Sequence, residues 1–157
     1  MPKLSAGLLM YRLQGGKVEA LLAHPGGPFF RQKDEGAWSI PKGEPEGEED
    51  LLVAAQREFR EETGVTPRGP FLPLAPIKQK GGKTVHAWAF CGDCDPAGVT
   101  SNTFTIEFPP KSGRWETFPE IDRAEWFDLE AAAMKIKPAQ RAFLEELLEK
   151  LPATGGE

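Results

Sequence analysis

Glu58, Glu61 and Glu62 crowd into the stretch "REFREETGV", directly after Arg57. Three carboxylates at that spacing are the donor set of a hard divalent cation, since Mg²⁺ takes oxygen ligands and binds through carboxylates, substrate phosphates and water. On a helix stepping about 100° per residue, Ala55, Glu58 and Glu62 fall within roughly 40° of Leu51. That is the stripe that ordinarily faces a core. Glu61 stands at its edge and Arg60 points to the opposite side. A merely solvated acidic face would hold its charges away from the apolar stripe. Glu58 and Glu62 also form a like-charged i, i+4 pair, which is unfavourable even in water. Arg57 reaches Glu61 one turn on, but one guanidinium cannot neutralise three carboxylates. The arrangement reads as a metal platform.

The elements that must carry these residues follow from patterning. "EPEGEED" reads as a loop running into a helix over about 50–63, with acids at its positive end and Gly64 as its stop. Before it, apolar runs over 4–13 and 18–24 flank "QGGK", a hairpin with glycines for the turn. The short "WSI" suggests another strand ended by Pro41. After the helix, "FLPLAPIKQK" and "KTVHAWAF" flank Gly81-Gly82 as a second hairpin, with Pro73 and Pro76 confining the first strand to an edge. "TFTIEF" alternates as a strand, "PPKSGRWETFPEIDR" reads as loop, and "AEWFDL" as a last strand. "KPAQRAFLEELLEKL" predicts a second helix, with Phe143, Leu147 and Leu151 on one face. Strands around two well-separated helices indicate an α/β fold, a mixed sheet covered by helices.

The spacing Gly43-x5-Glu49-x7-Arg57-Glu58-Phe59-x-Glu61-Glu62-x-Gly64-Val65 resembles the signature of the Nudix hydrolases, G-x5-E-x7-R-E-U-x-E-E-x-G-U, where U is a bulky aliphatic residue. Every fixed letter is present, and the one departure is the aromatic Phe59 at the first U. The resemblance implies an α/β/α sandwich with a mixed β-sheet and hydrolysis of a phosphoanhydride bond in a nucleoside diphosphate linked to another group. It implies Mg²⁺ or Mn²⁺, with Glu58, Glu61 and Glu62 as ligands and the Gly43 carbonyl as a further one. Glu49 and Arg57 would orient them, and the catalytic group would be Glu58, Glu61, Arg57 and Glu49. In this family the general base is a box glutamate or an acid from a later loop. Glu58 is the first choice, with Glu107, Glu116 and Glu120 as the later candidates.

Substrate-binding candidates are the basic residues Lys42, Lys78, Lys80, Lys83, Lys111 and Arg114, which can meet phosphates. Phe29, Phe30, Trp38, Trp88 and Trp115 can stack on a base or fill the core. "WSIPKGE" and the lysine-rich hairpin are similar to members acting on dinucleoside polyphosphates, and a nucleoside triphosphate is the neighbouring expectation. The rival reading is a non-catalytic domain of the same fold that binds a nucleotide as sensor or regulator.

With 157 residues the chain suits one domain, expected over 1–151 with a flexible tail at 152–157. A net charge of -5 argues against non-specific binding to nucleic acid or anionic lipid, so an anionic substrate needs a local basic patch or a metal. No stretch approaches the ~20 apolar residues of a membrane span. The expectations are therefore a cytoplasmic protein with no membrane partner, no DNA-binding domain, a phosphorylated small-molecule substrate, and a monomer or homodimer. Cys91 and Cys94 in "FCGDCD" read as reduced thiols; a zinc site would require both to converge with His24 and His86.

Overall fold

Alternating apolar residues in the first strand set up two opposite cores. Leu8 and Met10 face one side of the sheet and Leu9 the other, as the two-residue period of a strand requires. The computed structural model describes residues 3–79 and 81–151. Lys80 and the expected tail lie outside the described residues. Strands β1 (Leu4–Gln14) and β2 (Lys17–Pro25) form the predicted hairpin. Its turn residues Gly15 and Gly16 adopt φ of 61° and 81°.

The chain continues through β3 (Lys42–Gly43), α1 (Leu51–Thr63), β4 (Leu72–Lys78) and β5 (Thr84–Cys91). Beyond these come β6 (Thr103–Glu107), β7 (Trp115–Pro119), β8 (Ile121–Asp128), α2 (Leu129–Lys135) and α3 (Arg141–Lys150). The main sheet runs β4-β5-β1-β2-β8, with β3 paired to β1; β1 and β5 are parallel neighbours and its other strand pairs are antiparallel among the described residues. Helix α1 covers one face, packing Ala54, Ala55 and Phe59 on Leu8, Met10, Leu21 and Phe90. The other face is covered by Ala132 of α2 and by Phe143, Leu144 and Leu147 of α3, around Trp38 and Ile40. The result is an α/β/α sandwich around a mixed sheet.

The sheet forks. β1 pairs with β2 only from Tyr11 to Gln14, and at its other end Ala6 and Gly7 pair with Gly43 and Lys42 instead. Ser39 meanwhile exchanges backbone hydrogen bonds with Ala23 of β2 at 2.8 and 3.0 Å. The segment 39–43 is thus wedged between two strands that part to admit it. Gly7 permits this approach, because a Cβ there would lie 2.6 Å from Pro41 O and from Lys42 Cβ.

Four expectations need correction. Residues 38–40 form isolated bridges with Ile136 and Ala23 rather than a strand of their own, because they act as the wedge. The stretch read as loop contains β7, which joins β6 in a separate two-stranded sheet; its residues are mostly exposed, and Trp115 and Phe118 stand three apart, off the two-residue period of a strand. Among the described residues there are three α-helices, not two. Helix α2 buries only Ala132, too little to register as an amphipathic stripe. Finally, Trp38 is a core residue, edge-on to His24 and Phe127 at 5.1 and 5.0 Å, so it cannot stack on a base.

Candidate active site

Helix α1 starts where Asp50 accepts hydrogen bonds from the amides of Leu52 and Val53, and it stops at Gly64, whose φ of 78° is left-handed. Between these caps the apolar stripe anchors on Phe59, which turns Glu58 and Glu62 toward the fork. Glu62 is 8% exposed, rare for a carboxylate.

Arg57 is the hub of the cluster. All five of its N–H donors are used: Nε and Nη2 hold both oxygens of Glu49 at 2.9 Å, Nη2 also reaches Glu44 O at 3.1 Å, and Nη1 meets Glu58 and Glu61 at 3.1 Å each. A planar guanidinium gripping one carboxylate at two points is the geometry that lysine cannot supply. The hydrogen bonds from Arg57, and then the Glu46 amide, hold the Glu49 carboxyl down at about 2. The Arg57 guanidinium is raised further above its ordinary value, first by Glu49.

The other carboxylates move the opposite way. Burial raises Glu58 despite its contact with Arg57. Burial, then the adjacent Glu120 carboxyl, pushes Glu62 up to about 9. Lys42, beside them on β3, is brought down to about 8 by burial and by its neighbours Lys137 and Lys83. Gly43 brings the Glu58 carboxylate against the backbone, since a Cβ there would sit 2.0 Å from Glu58 Cδ. At the fork a cleft of about 150 Å³ is lined by Ser39, Lys42, Glu62, Glu120 and Lys137, among others.

Among the described residues no three acidic, histidine or cysteine side chains are already gathered as a ligand set, because Glu58 and Glu61 turn to Arg57 and Glu62 to Glu120. The donor chemistry nonetheless fits a hard divalent cation. The groups are carboxylate oxygens, two of them partly stripped of water, packed on a bare backbone and offset by too little positive charge.

The fork brings together Glu49, Arg57, Glu58, Glu61, Glu62, Gly43 and Lys42 of the expected residues. Lys83 joins them through Glu44, 3.3 Å away. Of the later acids only Glu120 arrives; Glu107 is occupied with the amides of Lys111 and Gly113 in the β6–β7 turn, and Glu116 faces Ile106 across the hairpin. Lys111 and Arg114 sit at the far end of that hairpin, and Arg114 is roughly 20 Å along β7 from Glu120 at ~3.3 Å per residue. Lys78 is exposed on the edge strand β4. Phe29 and Trp115 are exposed, at 56% and 66%, and Trp88 packs against the α1 core. Cys91 and Cys94 are free thiols, and His24 is engaged by Asp122 and Lys33 O. Sequence reasoning missed Lys137 and the buried Gln140, which no local pattern marks.

The family model described as NUDIX domain matches residues 1–147. Among solved structures, a C. elegans Ap4A hydrolase is similar with a TM-score of 0.59 at 25% identity, covering 95% of this chain and 97% of that one. The NUDIX domain of Shewanella oneidensis NrtR, complexed with ADP ribose, gives 0.66 at 15% identity over 97% and 90%. A MutT protein from Methanosarcina mazei Go1 gives 0.58 at 22% over 95% of each chain. The last two show likeness of fold alone. With the signature unbroken from Gly43 to Val65 and the family match spanning nearly its whole length, the chain belongs to the Nudix hydrolases, a family of nucleotide-linked pyrophosphohydrolases.

Proposed function

We propose that this protein uses Mg²⁺ or Mn²⁺ to hydrolyse a phosphoanhydride bond in a nucleoside diphosphate-linked compound, a dinucleoside polyphosphate or a nucleoside triphosphate. The observation that carries this reading is the packing of Glu58 and Glu62 at the fork, desolvated beside Gly43 and Glu120. The similarity to an Ap4A hydrolase supports the dinucleoside polyphosphate as the first substrate to try.

Glu58, Glu61, Glu62 and the Gly43 carbonyl would hold the ion. When bound, such an ion polarises phosphoryl oxygens and acidifies a water. Arg57 holds Glu49, Glu58 and Glu61 together and occupies one oxygen each of Glu58 and Glu61, so their other oxygens would be the ones offered to the ion. Lys42 offsets phosphate charge at the mouth of the cleft. A Glu58 carboxylate oxygen takes the proton of the attacking water; Glu120, beside Glu62, is the second carboxylate in reach of the same cleft. The free thiols are consistent with work in the cytoplasm.

The test is release of phosphate or pyrophosphate with Mg²⁺ from nucleoside triphosphates, diadenosine polyphosphates, ADP-ribose, other sugar nucleotides and inositol pyrophosphates. Glu58→Gln is expected to lower kcat by about 10²–10⁴ and Glu120→Gln by less; the reverse order would move the base to Glu120. Glu62→Gln keeps the side-chain volume, so the fold should persist while calorimetric Mn²⁺ binding is lost. Equal Mn²⁺ binding by wild type and Glu62→Gln would sink the metal platform. Tight nucleotide binding with no turnover of any compound would instead mark a sensor.

A further inference from the structure

Lys137 stands 95 positions after Lys42, yet the backbone lays them side by side. Residues 136–140 run along the wedge: Trp38 bridges Ile136 in parallel, Trp38 N donates to Lys135 O at 3.0 Å, and Lys137 N donates to Trp38 O at 2.8 Å. Gln140, fully buried, locks the arrangement. Its Oε1 accepts from Ile40 N at 3.1 Å, and its Nε2 donates to Ser39 Oγ at 3.0 Å and to Gln79 Oε1 at 2.8 Å. Gln79 N in turn donates to Lys83 O at 2.8 Å, which ties the β4–β5 hairpin into the same junction.

Lys42 and Lys137 therefore line one cleft, and the tie from Gln140 through Gln79 brings the Lys83 backbone to the same junction. Lys137 and Lys83 both bear on Lys42, where Glu62 and Glu44 act the opposite way, and Lys83 bears on Lys137. Of these three lysines, Lys83 alone forms an ion pair among the described residues, with Glu44. Partly desolvated like charges are unfavourable unless an anion joins them. Lys137 also lines two cavities. One is the small cleft it shares with Lys42, Glu62 and Glu120. The other is a larger cavity of about 530 Å³ walled by Gly36, Gln79, Pro138 and Ala139. Lys137 is the residue common to the linings of both spaces.

We propose that Lys137, with Lys42 and Lys83, grips the phosphates distal to the scissile bond, and that the cavity beyond Lys137 receives the group they carry. This selects substrates with three or more consecutive phosphates over those with two. The inference rests on the hydrolase reading for its setting, but the grip itself is testable by binding alone.

Two measurements on the full chain separate the possibilities. Calorimetry without divalent ions, with inorganic tripolyphosphate and orthophosphate as probes, is expected to show tripolyphosphate bound by wild type. Lys137→Ala should weaken it by about tenfold or more, the scale of one hydrogen bond to a charged group, and Lys137→Arg should restore most of the loss. Steady-state kinetics should show the ratio of kcat/KM for diadenosine tetraphosphate over ADP-ribose falling about tenfold in Lys137→Ala, through KM more than kcat. Melting temperatures close to wild type would confirm that the variants are folded. An unchanged ratio, or unchanged tripolyphosphate affinity, overturns the grip. If nothing in the substrate panel is hydrolysed but tripolyphosphate still binds through Lys137, the grip stands and the assignment of activity fails.

Discussion

At the residue scale, the decisive feature of the site is a side chain that is missing. Gly43 leaves room for the Glu58 carboxylate, which any Cβ would strike at 2.0–2.3 Å. Gly43→Ala is expected to expel Glu58 and weaken Mn²⁺ binding by at least about tenfold while cooperative unfolding persists, readable by calorimetry and thermal melting; wild-type affinity would show that Glu58 need not lie there. Arg57→Lys keeps the charge but loses the two-point grip on Glu49. It should cost about 10–100-fold in activity, the usual effect of disturbing groups that orient metal ligands. The Arg57–Glu61 contact was legible from sequence because residues four apart on a helix are neighbours. The Arg57–Glu49 fork was not legible in the same way; it depends on how the loop between β3 and α1 folds back, which no periodicity encodes.

At the element scale, α1 and the first hairpin follow from local chemistry: an Asp cap, a glycine stop and a Gly-Gly turn. Helix α2 and strand β7 do not, since both bury little and their places are fixed by contacts distant in sequence. Helix α3 holds the edge strand β4 in part through Glu146, whose Oε1 accepts from Ala75 N at 2.7 Å. Lys150 first, and then this amide, lower the Glu146 pKa below its ordinary 4.5. A lowered carboxylate pKa stabilises the fold above the unfolded value, and the contribution is lost as pH falls through the folded value. The stability gap between wild type and Glu146→Gln should therefore be present at pH 7 and close on acidification below about 4.5. Urea unfolding at several pH values would show this, and a gap that widens in acid would contradict it.

At the scale of the whole molecule, the cleft belongs to the backbone: two strands part, a wedge enters, and Gln140 pins the wedge to α3 and the β4–β5 hairpin. Gln140→Leu would leave buried Ile40 N and Ser39 Oγ without this partner. A loss of about 1–3 kcal/mol in denaturant unfolding is expected, together with reduced activity, because the segments bearing Lys42 and Lys137 lose their common tie. Sequence could place the carboxylates but not this junction, whose members are some 60 to 100 positions apart. The parallel ladder has an order of events built into it. Leu4 pairs with Thr84 and Tyr11 with Cys91, so every rung spans 80 positions. During synthesis β1 can meet β2 at once, but its apolar other edge must wait until β5 emerges. Such non-local pairing forms slowly, so the nascent chain carries an unpaired Leu8–Met10 strand through that interval, the window in which aggregation or chaperone capture is most favoured.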